Sequence, residues 1–256
     1  MKIRKASVAG YFYPANPKEL QNLINQFFEK EEKHFEFPQK IKALIVPHAG
    51  YIYSGPVAAP AFKIFKTIKQ KPQKIILIGP SHHFALNDFV FSESDEWTTP
   101  LGEVKIYKPK TTKEFFEAAF EPEHSLEVQL PFLQTILSDF QIMPILINED
   151  EAAPKLAEFL KKIIDENTII IVSSDLSHYY PLEVAKQIDF QTIKIIENKD
   201  ITKKESIEAC GRAGIISLLL LANDLNWETK LIRYQTSYET TNDDLNVVGY
   251  ASFIFY

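Results

Sequence analysis

Two stretches of the chain carry apolar residues at the three-and-four spacing of an amphipathic helix. Leu20, Leu23, Ile24, Phe27 and Phe28 form one stripe, and Leu156, Phe159, Leu160, Ile163 and Ile164 form the other, since residues so spaced share one face of a 3.6-residue turn. Pro154 stands just ahead of the second stripe, where a helix tolerates a missing N–H. Ser54-Gly55-Pro56 reads as a cap leading into a helix that runs to about Ile68. Residues 125–138 are helical in pattern, with Pro131 expected to kink or split them.

Six further runs, 41–46, 74–78, 140–147, 168–172, 230–234 and 247–255, are short, almost continuously apolar and rich in isoleucine. Such runs predict strands of a sheet covered on both faces. Residues 88–91 and 103–107, on either side of Thr99-Pro100-Leu101-Gly102, read as a hairpin or an edge excursion, and 242–244 as a turn. Strands alternating with helices predict an α/β fold. The expected architecture is a layered sandwich with a mostly parallel or mixed central sheet and helices on both faces. No linker-like stretch or internal repeat divides the chain, so residues 1–256 are expected to form a single domain.

Composition narrows the class without choosing a function. The 256 residues are 45% hydrophobic and 24% charged, enough for a core that needs no disulfide staple. A net charge of −6 argues against a nucleic-acid partner, which calls for a basic face. Cys210 is the one cysteine, so no intrachain disulfide forms and the fold does not require an oxidising compartment. The longest apolar run, 215–222, contains Ser217 and falls far short of the roughly 20 residues of a membrane span. The opening Met-Lys-Ile-Arg-Lys-Ala-Ser lacks a signal-peptide core. A soluble, cytoplasmic protein is expected.

The histidines carry the chemistry. His34 lies in the charged stretch 29–34 and is expected to be solvated. Strand 41–46 runs into Pro47-His48-Ala49-Gly50-Tyr51, strand 74–78 into Gly79-Pro80-Ser81-His82-His83, and strand 168–172 into Ser173-Ser174-Asp175-Leu176-Ser177-His178-Tyr179. In open α/β sheets ligands sit beyond the carboxyl ends of the strands, so parallel neighbours would bring these loops together. Glu123-His124-Ser125 adds a fourth group at a predicted helix start. Neutral imidazole ligates iron, copper, zinc and nickel, and a second group usually orients it. Asp175, three residues before His178, and Glu123, beside His124, are candidates to orient imidazoles, or to act as ligands or bases themselves. Cys210 offers a thiolate. Tyr51, Tyr53, Tyr179 and Tyr250 are candidate pocket walls or proton donors. The blander alternative is that these histidines are hydrogen-bonded structural residues. No Walker A, Gly-x-Gly-x-x-Gly or Gly-x-Ser-x-Gly motif appears, which counts against nucleotide-dependent and serine-hydrolase readings.

One ordered set of motifs resembles a known family. It comprises Arg4, residues 9–14, Pro47-His48-Ala49-Gly50-Tyr51 with Tyr53-Ser54-Gly55, and Gly79-Pro80-Ser81-His82-His83. Thr99-Pro100-Leu101-Gly102, Glu123-His124-Ser125-Leu126-Glu127, residues 173–178 and Cys210-Gly211 complete it. Together they resemble the Memo-like family, called AmmeMemoRadiSam system protein B in prokaryotes. The resemblance implies a fold similar to LigB-type class III extradiol dioxygenases. It implies a metal held by His48, His82 and Cys210, with iron or copper favoured and zinc as a third option. It places Asp175 and His178 in the same pocket and Glu123 and His124 in a further pocket motif. Related dioxygenases hold Fe(II) with two histidines and a carboxylate; here a thiol stands where the carboxylate would be, which favours copper, zinc or a redox role over catechol cleavage. Phe12 stands where the animal protein, which acts in receptor-driven cell motility and binds phosphopeptides, has tryptophan.

Two functions follow as expectations. In the first, the chain is a metal-dependent oxidoreductase or oxygenase-like enzyme acting on a small or peptide-borne substrate, with His178, oriented by Asp175, as acid/base residue. In the second, the pocket is a non-catalytic peptide- or protein-binding module. The resemblance names a radical-SAM protein and an Amme-type protein as partners to test.

Overall fold

The computed structural model describes residues 1–30, 38, 40–68, 71–111 and 113–256; His34 lies outside the described residues. Its strands are β1 (Ile3–Arg4), β2 (Ala43–Val46), β3 (Lys74–Gly79), β4 (Val90–Phe91), β5 (Glu96–Thr99), β6 (Gly102–Ile106), β7 (Gln141–Leu146), β8 (Thr168–Ser173), β9 (His178–Tyr180), β10 (Thr229–Thr236) and β11 (Val247–Phe255). Its helices are α1 (Pro17–Glu29), α2 (Tyr51–Lys63), α3 (Glu117–Phe120), α4 (Leu130–Ile136), α5 (Ala153–Ile163), α6 (Leu182–Asn198), α7 (Arg212–Asp224) and α8 (Tyr238–Thr241). The strands make one mixed sheet of order β1-β5-β6-β7-β3-β8-β2-β11-β10, with β4 added on β7 and β9 on β11. Neighbours from β6 through β2 are parallel, and β11 and β10 close one side antiparallel.

The doubly apolar strand runs are explained by which way successive side chains point. Leu44, Val46, Ile75, Leu77, Ile169 and Ile171 join a core with α1, α2 and α4. The alternate residues Ala43, Ile45, Ile76, Ile78, Ile170 and Val172 join a second core with α5, α6 and α7. The central strands thus have helices on both faces, which gives the α/β layered sandwich expected from the sequence. Among the described residues, no helix is long and apolar enough to cross a membrane.

The differences from the sequence reading have local causes. α2 begins at Tyr51 rather than after Ser54, so Pro56 and Pro60 lie inside it. Proline removes an intrahelical N–H donor, and the carbonyl that Pro56 leaves free, that of Ile52, takes the Thr240 hydroxyl at 3.3 Å. Pro131 does split the next predicted helix: a single 3-10 turn over Glu127–Gln129 precedes α4, with the proline in its first turn. Residues 102–105 pair with β5, which the pattern missed, and Val90–Phe91 goes instead to β7. The apolar run within 212–224 is a helix buried all round, so it carries no amphipathic period.

Candidate metal centre

The carboxyl ends of β3, β8 and β2 lie side by side, so the three histidine-bearing loops emerge together, as the strand reading required. The turn after α3 supplies Glu123 and His124 from the α1/α2/α4 side. The loop ahead of α7 supplies Cys210 from the other. Gly211 lets that loop nest against β8: a Cβ there would lie 2.7 Å from the Ser173 carbonyl oxygen and 2.7 Å from Ser174 Cβ.

His48, His82 and His124 form the centre, each offering one nitrogen, all within 4.8 Å of one another. The rings of His82 and His124 stack at 4.7 Å, and His48 meets both edge-on at 5.3 and 5.4 Å. Phe12 packs on the His124 ring at 4.6 Å. Two bonds of about 2.1 Å to a common ion separate their nitrogens by about 3.4 to 4.2 Å, so the cluster is slightly wider than, or close to, the spacing that one shared ion would set. The donor set fits a borderline transition metal.

Cys210 Sγ lies 3.2 Å from His48 Nε2, receives the Asp175 N–H at 3.2 Å and stands 3.8 Å from the Ser174 hydroxyl. The thiol therefore borders the cluster through His48. Burial, with the nearby Asp175 carboxyl, pushes its pKa well up; only a cation at the site would make it a thiolate at neutral pH.

Glu123 is the principal anchor. Its buried carboxylate accepts from the backbone N–H of His82 at 2.6 Å, from that of Ser125 at 2.8 Å and from His82 Nδ1 at 2.9 Å. Burial would raise its pKa, but the His82 ring and the two N–H groups outweigh burial and hold the carboxyl well below its usual range. The same contact fixes His82 as the Nδ1–H tautomer and leaves Nε2 a lone pair, the carboxylate–histidine arrangement of metal sites. His124 Nδ1 is 3.5 Å from the same carboxylate. Burial and the neighbouring imidazoles depress His48 far below 6.5 and take His124 to about 4. His82 is raised, because Glu123 overrides the effect of burial.

Asp175 is 4% exposed. It accepts from the His48 N–H at 2.7 Å and from the Ala49 N–H, and burial raises it to about 7 against those bonds. It is therefore a mount for the His48 loop. No hydrogen bond joins it to His178 among the described residues; the Leu176 backbone engages the His178 ring, and burial depresses the pKa of His178. His178 is half-buried on β9, close enough to feel the charge of His82. His83 is exposed and close enough to lower the pKa of His124, and Tyr51 is structural, its hydroxyl donating to the Val128 carbonyl at 2.6 Å.

Sequence reasoning missed the role of Gln129, a buried amide that reaches the Ser173 hydroxyl at 2.8 Å and the Pro47 carbonyl at 3.0 Å. The available signal was a lone glutamine within the otherwise apolar run from Val128 to Leu133. It also named Arg4 without a role. That guanidinium, 4% exposed, donates to the carbonyls of Phe120 and Glu123 at 2.6 Å each and to Glu127 at 2.8 Å, and lies 4.3 Å from the Trp97 ring centre. It thereby grips the turn that presents Glu123 and His124.

The family profile and the curated relatives agree on one family. The profile described as Memo-like protein matches residues 4–254. A MEMO1 family protein of Caldivirga maquilingensis is 36% identical over 284 residues, covering 100% of both chains. One from Aquifex aeolicus is 36% identical over 276 residues, again covering 100% of both. A crystal structure of an uncharacterised Escherichia coli K12 protein aligns with a TM-score of 0.49 at 11% identity, over 84% of this chain and 99% of that one.

Proposed function

Because the chain belongs to the Memo-like family, we propose that it is a metal-dependent redox protein with oxygenase-like chemistry on a small or peptide-borne substrate. His48, His82, His124 and Cys210 would hold the ion. The observation that carries this reading is the convergence of three imidazole nitrogens within 4.8 Å. Depressed basicity keeps His48 and His124 neutral, as ligands must be. Glu123 supplies negative charge behind the cluster. Three nitrogens and a soft sulfur suit iron, copper or zinc; the family resemblance favours iron or copper, with zinc as the third option. The ion, when bound, supplies Lewis acidity or electron transfer. His178, neutral and half-buried at the rim, is the residue that takes or returns a substrate proton.

The test is elemental analysis of protein purified without oxygen, beside the His48→Ala, His124→Ala, Cys210→Ser and His178→Ala variants. About one ion per chain is expected in wild type, lost in His48→Ala and His124→Ala, weakened in Cys210→Ser and kept in His178→Ala. Wild type that carries no metal and takes up none on titration with Fe(II), Cu(I) or Zn(II) overturns the proposal.

A second reading draws on two exposed tyrosines. Tyr11, next to Phe12, is 89% exposed, and Tyr179, next to His178, is 73% exposed. Large exposed aromatics beside a site suit a peptide or protein partner, with the radical-SAM and Amme-type proteins as first choices. This reading expects a complex with one of them that survives His48→Ala; failure of both to bind in a pull-down removes it.

A further inference from the structure

His82 has a carboxylate to fix its tautomer, whereas His48 has none on its Nδ1. Among the described residues, the acidic groups within 4.0 Å of its ring nitrogens lie on the Nε2 side. Asp175 Oδ2 is 4.0 Å from Nε2 and Cys210 Sγ is 3.2 Å from the same nitrogen. Left to these neighbours, the proton of a neutral His48 would settle on Nε2, where it blocks the lone pair that an ion needs.

The hydrogen bonds behind the ring decide the matter one at a time. The Pro47 carbonyl can only accept, so the Gln129 group 3.0 Å from it is the amide nitrogen. That same nitrogen lies 2.8 Å from Ser173 Oγ, which must accept from it. The single hydroxyl proton of Ser173 then has two acceptors left, the Ser125 carbonyl at 2.5 Å and His48 Nδ1 at 3.0 Å. Ser125 is fully buried, and its carbonyl has otherwise only a long 3.5 Å contact with Gln129 among the described bonds. A buried carbonyl deprived of its donor is costly enough to bias this choice roughly tenfold or more. The hydroxyl therefore points to Ser125, and His48 Nδ1 must donate.

We propose that Ser173 and Gln129 form an uncharged tautomer lock that holds the proton of His48 on Nδ1 and presents Nε2 to the ion. Both are positioning residues acting through His48, and their value to metal binding rests on the reading given above. The lock itself exists without metal. It leaves the buried end of the site free of a further negative charge, while Glu123 supplies that charge from the side of His82.

The experiment uses the full, metal-free, isotopically labelled chain. Long-range proton–nitrogen correlation spectra report which nitrogen of each neutral imidazole carries the proton, and His48→Gln assigns the His48 signals. Wild type is expected to show His48 protonated on Nδ1. Ser173→Ala is expected to move the proton wholly or partly to Nε2 and leave the His82 signals unchanged. Ser173→Cys, whose sulfur is a weak acceptor, shifts it the same way in part and carries the test should Ser173→Ala fail to fold, whereas Gln129→Met leaves the Ser173 oxygen able to accept from Nδ1 and is expected to change the tautomer less. Titration with Zn(II) alone is expected to show affinity lower by roughly 10- to 100-fold in folded variants. A wild-type His48 protonated on Nε2, or folded Ser173 variants with an unmoved tautomer, overturns the lock. An intact lock in a wild type that binds no metal leaves the lock standing and removes the metal reading instead.

Discussion

Glu127, on the turn before α4, and Asp189, in the middle of α6, are both fully buried carboxylates that hold a loop of the site by its backbone. Glu127 accepts from Arg4 at 2.8 Å, from the N–H and hydroxyl of Ser7 at 2.8 and 2.9 Å, from the Val8 N–H at 3.1 Å and from the Tyr13 hydroxyl at 2.6 Å. Asp189 accepts from the Ser177 N–H at 2.9 Å and the Tyr234 hydroxyl at 2.8 Å, with no ion pair among the described residues. Burial pushes both pKa values upward, but Arg4 and the many donors reverse this for Glu127, which is lowered, while Asp189 stays raised. The counter-ion makes the difference. Glu127 is a permanent charge that ties the N-terminal segment, including Phe12 on the His124 ring, to the cluster. Asp189 is a weak acid mounting the loop that ends in His178. The side of the site that carries the three-imidazole cluster is clamped ionically, and the side that carries His178 is held by a group that can lose its charge.

The comparison is broken most forcefully at Arg4. Arg4→Met keeps an apolar stem of similar bulk to the arginine's methylenes, removes the guanidinium and strands Glu127 as an uncompensated buried charge. Removing one partner of a buried ion pair costs roughly 3 to 5 kcal/mol, and the carbonyls of Phe120 and Glu123 lose their donor as well. Denaturant unfolding at neutral pH is expected to show a loss of that size, with Arg4→Met/Glu127→Gln recovering part of it. A loss under about 1 kcal/mol would mean that the clamp does not hold this turn.

The Asp189 mount is attacked from the opposite strand. A Cβ at Gly249 would lie 2.0 Å from Asp189 Oδ2 and 2.6 Å from its Cγ. Asp189 is fully buried, so α6 must shift or the carboxylate must release Ser177. Gly249→Ala is expected to cost about 1 to 3 kcal/mol, as overpacking does, and to speed amide exchange at Ser177 while Ser7 and Val8 exchange as before. Equal loosening on both sides would show that the two mounts are one cooperative unit.

These mounts mark the limit of what the sequence discloses. The strands were legible because residues such as Ile75, Ile76, Leu77 and Ile78 are apolar on both faces, and the strand-end histidines followed from strand position. The pairing of 103–107 was misjudged because Glu96–Thr99 alternates buried and half-buried residues with only one large apolar side chain, Trp97. Of the site, His48, His82, Glu123 and His124 were visible as residue types near strand or helix ends. The ring-by-ring anchoring was not: Asp175 was expected beside His178 from their spacing, yet the strand-end geometry turns its carboxylate back onto the His48 backbone. Arg4, Gln129 and Asp189 act across separations in sequence that no local pattern encodes, and each is recognisable only once its buried partners are known.

The smallest expected effect is the one that separates the two carboxylates most cleanly. Asp189→Asn keeps an oxygen for the Ser177 N–H and offers an amide N–H to the Tyr234 oxygen, so its cost near pH 4 is under about 1 kcal/mol. The pH dependence carries the information. The pKa of Asp189 is raised from 3.8 in the folded chain. Between 3.8 and the folded value the native state keeps a proton that the unfolded state has released, so stability falls as pH rises through this window. Glu127 has the opposite sign: its pKa is lowered from 4.5, so its contribution is present above 4.5 and is lost as pH falls through its folded value. Other groups shape the whole profile, but they are common to both proteins, and the difference between Asp189→Asn and wild type isolates Asp189. That difference is expected to move in favour of the variant as pH rises from 4 to 8. Urea unfolding at a series of pH values measures it. A difference that instead moved steadily against the variant with rising pH would make Asp189 a stabilised charge like Glu127, and the two sides of the site would then be built alike.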